Sequence, residues 1–216
     1  MLVFGHVGIT LGAAITLSGL QNFLRPANTT QSREGKPLSS LSKEVRTHNY
    51  SPTNNLSFMS LVERLDIRLL LVGSLLPDVI DKPTGLLLFK ETISTGRIFS
   101  HTLLFLILIT LWGLFFYRHY GRTWFLSLSF GTFMHLVLDQ LWRMPRTLLW
   151  PILGAKFERI DLTGYIEGIW HGLFSDPATY IPDLLGLFIL IWFFGMLLYM
   201  RTFYAFIKYG RIQQKP

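Results

Sequence analysis

The chain contains no cysteine and few charged side chains. With no cysteine among its 216 residues, it has neither a disulfide framework nor thiolate ligands for a metal. Charged residues make up 15% of the chain and hydrophobic residues 50%, whereas an average soluble domain is about 25% charged. The chain is too apolar for an ordinary soluble domain of this size, so a membrane protein is the first class to consider.

Two motif classes that would indicate other chemistry are also missing. No Gly-x-Ser-x-Gly elbow is found, and no glycine-rich phosphate-binding loop. These absences disfavour a Ser-His-Asp hydrolase and a nucleotide-dependent enzyme.

Long apolar runs are plentiful. A hydrocarbon core about 30 Å thick requires about 20 apolar residues in a helix. Four segments come close to that length and a fifth is weaker, with a short uninterrupted run that suits a poor spanning helix or a re-entrant one. The four are 1–20, 101–117, 123–142 and 181–207, and the fifth is 65–81. The sequence therefore predicts an all-α fold, a polytopic transmembrane helical bundle with about five membrane helices in a single membrane domain, 1–216.

The net charge of +7 fits membrane topology better than nucleic-acid binding. If all five segments span, the side that receives 21–64, 118–122 and the C-terminal tail carries the larger share of Lys and Arg. This places the C-terminus and a flexible polar loop, 25–55, in the cytoplasm. The N-terminus and the loop 143–180 then lie on the non-cytoplasmic side of the cell membrane. The expected partner is the lipid bilayer, with no nucleic acid.

The first apolar segment is not expected to be a cleaved signal peptide. No Lys or Arg precedes its apolar run, and positive charge begins only at Arg25. We expect a retained helix.

Seven ionisable residues in or next to these segments fall toward the non-cytoplasmic side under this topology. Intramembrane polar groups generally face a protein interior or a watery cavity, because charge in hydrocarbon is costly. Imidazole nitrogen and carboxylate oxygen without sulfur suit zinc, manganese or iron. We therefore predict a divalent metal site, with zinc as the first choice. The seven are His6, Asp78, Asp81, His101, His135, Asp139 and Asp183.

Each of these residues also has a simpler interpretation. His6 alone fits an interfacial hydrogen-bonding residue, and Asp78 after Pro77 fits a helix cap or turn. His135 and Asp139, four apart on one helix face, fit a buried hydrogen-bonded pair or part of a proton or ion pathway. The metal interpretation is favoured because several separate segments place such residues at one depth.

Three motifs carry a family resemblance. They are "GSLLPDVIDK" (73–82), "GRIFSHTLLF" (96–105) and "HLVLDQLW" (135–142), the last followed by "LLWP" (148–151). In this order, after an N-terminal histidine, they resemble the YdjM-like family, described as membrane-bound metal-dependent hydrolases. The resemblance implies metal ligation by His6, Asp78, His101, His135 and Asp139.

The chain departs from the family pattern at three places. The second acid of "PDVID", Asp81, comes one residue late for a direct ligand. "RIFSHT" lacks the glycine after Arg97 and exchanges the Thr and Ser around His101. "DQLWRMPRT" lacks the Thr and Gly that usually follow the last Asp, so the substrate-facing rim is expected to differ. The family is also distantly similar to zinc-dependent phospholipases C, which implies phosphoester hydrolysis by analogy of fold.

The catalytic roles assigned from the sequence belong to Asp81 and Arg97. A bound metal supplies hydroxide near neutral pH, and Asp81, or else Asp78, is placed to take the proton of the water as general base. Arg97 is placed to meet an anionic phosphate; the alternative is an interfacial snorkelling residue.

Four further residues are candidates for supporting roles. Ser100 and Thr102 are expected to orient His101, although capping of a helix by Ser100 is the commoner role. His171 and Asp183 either complete a second metal position or line the entrance, or else belong to a solvated loop.

The expected function is metal-dependent hydrolysis of a phosphoester or lipid-linked ester, on a small-molecule or lipid substrate that is accessible from the membrane. A metal-ion or proton transporter is the first alternative. It would need polar residues continuing to the opposite face, whereas the third and fifth helices are nearly all apolar in their cytoplasmic halves. A non-catalytic membrane scaffold is the second alternative.

Overall fold

The computed structural model describes residues 3–24, 65–88, 95–154 and 174–210, with residues 168, 170 and 172 singly. Every regular element within these ranges is helical, which confirms the predicted all-α class. The polar loop predicted for 25–55 and the candidate His171 lie outside the described residues.

Eight α-helices occur in the described part of the chain, together with a π-helical turn, Thr84–Leu88, and a 3₁₀ turn, Leu141–Arg143. Each predicted apolar segment coincides with one helix or with a pair of helices. The weaker segment, 65–81, divides into two short helices at Ser74. The helices are α1 (Val3–Leu24), α2 (Ile67–Gly73), α3 (Leu76–Pro83), α4 (Leu103–Tyr120), α5 (Trp124–Leu138), α6 (Pro145–Leu148), α7 (Pro177–Tyr199) and α8 (Phe203–Tyr209).

Two of these helices, α4 and α7, are long and apolar enough to cross a membrane. They have 18 and 23 residues, with mean hydropathies of 1.5 and 2.2. Only 6% of the α4 window is buried inside the chain, so most of its apolar surface is left for contact with lipid. Val3–Leu17 and α5 form shorter apolar helices.

A tight turn joins α4 to α5. The α4 helix ends at Gly121, whose φ of 64° is in the left-handed region that glycine adopts without strain. The following helix returns antiparallel, so that Gly113 packs on Leu126 and the hydroxyls of Thr110 and Ser129 form a hydrogen bond.

Two other helix pairs cross so closely that only glycine fits. A Cβ at Gly186 of α7 would collide with the backbone of Phe4 in α1, and a Cβ at Gly131 of α5 would collide with the backbone of Leu70 in α2. Small residues allow such close backbone approach in membrane helix pairs. Both pairs run parallel, because contacts advance along both members in the same direction. The N-terminal ends of α1 and α7 therefore lie side by side.

The other end of the bundle is fastened by different contacts. Asp66, the N-cap of α2, pairs with Arg68 at 2.6 Å, and the amide of Ile67 donates to the carbonyl of Gly210 at 2.9 Å. Next to this end lies an apolar core cluster. Its buried members are Leu11, Phe193, Leu197 and Phe206.

Candidate metal centre

The five residues predicted as metal ligands come together at one end of the bundle. The three histidines are almost fully buried, with exposures of 1% or less. The five residues come from four parts of the fold. His6 lies near the start of α1, Asp78 in the first turn of α3, His101 just before α4, and His135 and Asp139 in the last turn and at the C-cap of α5.

Two ring nitrogens of this cluster, His101 Nε2 and His135 Nε2, lie 3.2 Å apart. The other nitrogen of each ring is already engaged. His135 Nδ1 donates to the carbonyl oxygen of Ser74 at 2.7 Å, and His101 Nδ1 donates to Asp81 Oδ2 at 2.8 Å. In the neutral tautomers that these bonds favour, both Nε2 atoms present lone pairs to each other. The arrangement is favourable only with a proton or a metal ion between them.

The distance between these nitrogens fits shared ligation. Zinc–imidazole bonds of about 2.0–2.1 Å in a tetrahedral site place two ligand nitrogens about 3.3–3.4 Å apart. The observed 3.2 Å is close to this value. The pair therefore already has the spacing that a single divalent cation requires.

Two carboxylates approach the same nitrogens. Asp78 Oδ1 lies 3.6 Å from His101 Nε2 and 3.9 Å from His135 Nε2. Asp139 Oδ2 lies 4.0 Å from His135 Nε2, and Asp139 Oδ1 lies 3.2 Å from His6 Nε2. The possible ligand atoms form two groups, each within 4.8 Å, and His135 belongs to both. The groups are His6, His135 and Asp139, and Asp78, His101 and His135.

His6 supplies a second indication of a ligand site. Its ring stacks on His135 at a centroid distance of 4.2 Å. Within the described residues, neither of its buried ring nitrogens has a hydrogen bond of good geometry. A buried polar nitrogen without a hydrogen bond is costly. Ligation of a cation by His6 Nε2, which faces Asp139, would remove that cost.

Asp81 lies behind His101. Its carboxylate is fully buried and accepts hydrogen bonds from the amides of Ile98 at 2.7 Å and Ser100 at 3.1 Å, as well as from His101 Nδ1. A carboxylate bonded to the outer nitrogen of an imidazole is the usual partner of a metal-binding histidine. The Asp81 carboxylate therefore contacts Nδ1 of His101 and is placed to orient the ring so that Nε2 faces the cluster.

These carboxylates also influence the protonation of His101. Burial alone would lower the pKa of this imidazole, but the carboxylates of Asp78 and Asp81 outweigh burial and raise the pKa above its ordinary value. In the absence of a metal, a proton on Nε2 is therefore favoured, and it can bridge to His135.

Two cations each contact one oxygen of a candidate acidic ligand. Arg97 contacts Asp139 Oδ2 through Nε at 3.0 Å and Nη2 at 2.8 Å. Lys82 Nζ contacts Asp78 Oδ2 at 2.7 Å. Lys82 was missed in the sequence, although its position four residues after Asp78 on a helix is the spacing of such a pair.

The remaining candidates have structural contacts. The Ser100 hydroxyl donates to the carbonyl of Pro77 at 2.9 Å, and Thr102, rather than Ser100, is the N-cap of α4. Asp183 Oδ1 accepts from the amide of Gly5 at 2.7 Å, which ties the start of α1 to α7 immediately before His6. Asp183 is thus positioned to fix the helix that carries His6.

An apolar recess opens between α1 and α7 at this end of the bundle. Its volume is about 440 Å³, within the usual range for small-molecule pockets. Two of its lining residues, Phe4 and Asp183, contact or precede Gly5, the residue before His6. Its lining consists of Phe4, Phe174, Tyr180, Asp183, Leu184 and Leu187.

Comparison with known families agrees with the helical, apolar architecture and with the order of the motifs. The sequence model of the YdjM inner membrane protein family matches residues 1–209 of the chain. The chain belongs to this family. Family membership and the two long apolar helices make it a membrane protein associated with the lipid bilayer. Neither the curated proteins nor the solved structures gave a match.

Membership confirms the resemblance inferred from the three motifs, and it extends to α7, which those motifs leave out. The description of the family refers to a membrane protein and carries no activity. The similarity to zinc-dependent phospholipases C therefore stays a prediction.

Proposed function

We propose that this YdjM-family protein is a membrane-embedded, metal-dependent hydrolase. Its divalent cation would be held by ligands drawn from His6, Asp78, His101, His135 and Asp139. The observation that carries the proposal is the pair of facing Nε2 atoms 3.2 Å apart, on two buried imidazoles whose Nδ1 atoms are already bonded. Nitrogen and oxygen ligands favour zinc, with manganese and iron as alternatives.

The geometry supports one cation rather than two. His135 Nε2 belongs to both candidate groups, and its Nδ1 is occupied by the carbonyl of Ser74. An imidazole nitrogen has a single lone pair, so Nε2 cannot ligate two ions at once. Both groups then describe one centre, and a second metal position at Asp183 has no support from its contact with Gly5.

A bound divalent cation would supply a water whose pKa is lowered toward about 7. Around it, we assign Asp78 rather than Asp81 as general base. Asp78 keeps 17% of its side chain exposed and directs Oδ1 toward the histidines, whereas Asp81 is fully buried and bonded to three amides and His101. Asp81 would hold His101 in the ligating orientation, and Arg97 would steady Asp139.

The proposed topology has five crossings, with the second made by α2 and α3 together. Asp66 contacts Ser127 near the start of α5, whereas Asp81 contacts His101 at the other end, so this broken pair runs from one end of the bundle to the other. The parallel pairing of α1 with α7 agrees with both N-termini on one side. We assign that side, with the metal centre, as non-cytoplasmic and the C-terminus as cytoplasmic.

The proposed substrate is a phosphoester or lipid-linked ester that reaches the centre from the membrane. The apolar recess beside α1 would accept the apolar part of such a molecule. A transporter is less well supported. Beyond the centre, the described core combines the apolar cluster around Leu11 with isolated buried hydroxyls such as Thr10 and Ser127, and the buried carboxylate of Asp66 is already paired with Arg68.

Hydrolysis of a chromogenic phosphodiester, bis(4-nitrophenyl) phosphate, tests the proposal. Detergent-purified protein should release nitrophenolate after zinc or manganese loading, should lose the activity on chelation, and should regain it when the metal is restored. The His135→Ala variant should be inactive, whereas His119→Ala should retain activity, because it removes an exposed histidine of α4 that stacks on Phe115 far from the centre. Equal rates in wild type and His135→Ala would refute the assigned centre.

A further inference from the structure

We infer that Lys82 and Arg97 form an anion-binding rim beside the metal centre, so that the substrate carries a negatively charged group such as a phosphoester rather than a neutral ester. The inference rests on the proposed function and narrows its substrate class. It concerns Lys82 above all, a residue to which neither the motifs nor the ligand set gave a role.

Lys82 lies beside the segment that carries Arg97. A Cβ placed on Gly96 would lie 3.3 Å from Lys82 Cγ, so the stem of Lys82 packs against the residue that precedes Arg97. Lys82 contacts Asp78 and Arg97 contacts Asp139, and both carboxylates approach His135 Nε2 to 4.0 Å or less.

Both side chains remain partly open. Lys82 keeps 46% of its side chain exposed and Arg97 keeps 34%, although their carboxylate partners are exposed by only 17% and 5%. A cation that served only to neutralise a buried carboxylate would not need an open face. The exposed part of each cation leaves room for a second, anionic partner besides its carboxylate.

Among the described residues, both cations have more N–H donors than their contacts use. The ammonium of Lys82 has three N–H groups, and its contact with Asp78 uses one. The guanidinium of Arg97 has five, and its contacts in the described part of the chain are with Asp139 Oδ2 and the sulfur of Met144. A phosphoryl group has several acceptor oxygens that suit such a lysine and arginine pair.

The test is the binding of inorganic phosphate to the zinc-loaded protein in detergent, measured by isothermal titration calorimetry at low ionic strength. Three variants accompany the wild type. Lys82→Ala removes the proposed contact, Lys82→Arg keeps the charge and the donors, and Lys208→Ala removes one positive charge from α8 at the opposite end of the bundle. Metal content is measured for each variant.

We expect Lys82→Ala to weaken phosphate binding about tenfold or more, because a charge-assisted contact is lost. We expect Lys82→Arg and Lys208→Ala to bind close to wild type, and zinc content to be unchanged in all three. Wild-type protein that takes up no zinc but still binds phosphate through Lys82 would support this inference and refute the proposed metal centre.

Three results would overturn the inference. If zinc-loaded wild type bound no phosphate, the metal centre would stand and the anion-binding role of Lys82 and Arg97 would be refuted. Unchanged phosphate affinity in Lys82→Ala would show that the metal alone holds the anion. Loss of zinc from Lys82→Ala would show that Lys82 serves only to position Asp78.

Discussion

At the scale of single residues, His135 illustrates how one imidazole is prepared for ligation. Its Nδ1 is fixed by the carbonyl of Ser74, which leaves Nε2 to face His101 and the two carboxylates. The chain breaks here between α2 and α3, and Pro77 in the first turn of α3 lacks the N–H that would reach the carbonyl of Gly73 in a continuous helix. At this break the carbonyls of Gly73 and Ser74 both accept hydrogen bonds from side chains of α5, the helix that carries His135.

Asp81→Asn separates an orienting role from a catalytic one. The amide cannot reproduce the charged bond to His101 Nδ1, so we expect metal affinity to fall about 10- to 100-fold. Because Asp81 acts through His101, kcat should recover to near wild type once metal is saturating. The measurements are metal Kd by competition with a chelating dye, and kcat for bis(4-nitrophenyl) phosphate over a metal titration.

The matched control is Asp176→Asn, which alters a carboxylate whose contact is with the first turn of α7. It should leave metal affinity unchanged. A kcat of Asp81→Asn that stays low at saturating metal would instead make Asp81 the general base.

The pH dependence of metal binding follows from His101. Only the neutral imidazole ligates a metal, and the carboxylates of Asp78 and Asp81 hold the pKa of His101 above its ordinary value of about 6.5. Protons therefore compete with metal from a pH above that value. We expect zinc affinity to fall steadily between about pH 8 and about pH 5.

A dye competition assay across this range, with protons released on zinc binding measured in parallel, checks the expected sign. Zinc affinity that rises or stays constant as the pH falls would contradict neutral histidine ligation.

At the scale of elements, the glycine crossing between α1 and α7 supports the site directly. Gly186→Ala would press a methyl group against the backbone of Phe4 and Gly5, separating α1 from Asp183 next to His6. We expect a loss of about 1–3 kcal/mol in stability, as for overpacking in a tight core, and a lower zinc affinity. Thermal unfolding in detergent and zinc titration provide the measurements.

Gly195→Ala is the control within the same helix, since a Cβ there meets nothing within 4 Å. This variant should keep zinc affinity and have equal or slightly higher stability, because alanine favours helix more than glycine. If Gly186→Ala proved as stable as Gly195→Ala, the close crossing would be refuted.

The sequence predicts the positions of most helices, but it does not predict where they break or which residues cap them. Segment length and hydropathy identify apolar helices because every backbone group in a bilayer must be paired internally. The break at Ser74 was signalled only by Pro77, and the choice of Thr102 over Ser100 as N-cap depends on the local path of the chain. Such details arise from tertiary contacts that periodicity does not record.

The candidate ligands were readable for a different reason. Histidines and aspartates in apolar helices stand out because their burial is costly. The different contacts of these residues could not be predicted from the sequence. Asp78 and Asp81 share a short helix, yet Asp81 bonds His101 Nδ1 and Asp78 approaches His101 Nε2, because the segment from 95 to 102 folds over α3. Lys82 stayed hidden because a lysine beside an aspartate is ordinary on a helix surface.

At the scale of the whole molecule, the two ends of the bundle differ in kind. Among the described residues, one end holds three buried histidines, the carboxylates of Asp78, Asp81, Asp139 and Asp183, and two partly open cations. The other is closed by the Asp66–Arg68 pair and the contact of α2 with Gly210. The YdjM family match covers residues 1–209, so both ends of the bundle lie within the matched part of the chain. An asymmetric bundle of this kind suits a reaction at one membrane surface better than passage through the bilayer.

The proposed function requires one divalent cation between His101 and His135, and elemental analysis measures it. The protein would be purified in mild detergent without chelator, offered zinc, manganese or iron, and compared with His135→Ala, Asp139→Ala and the control His119→Ala, each verified as monodisperse. We expect about one metal ion per chain in wild type and His119→Ala, with loss in His135→Ala and Asp139→Ala. Wild type that remains metal-free after loading, or variants that keep the full metal content, would contradict it.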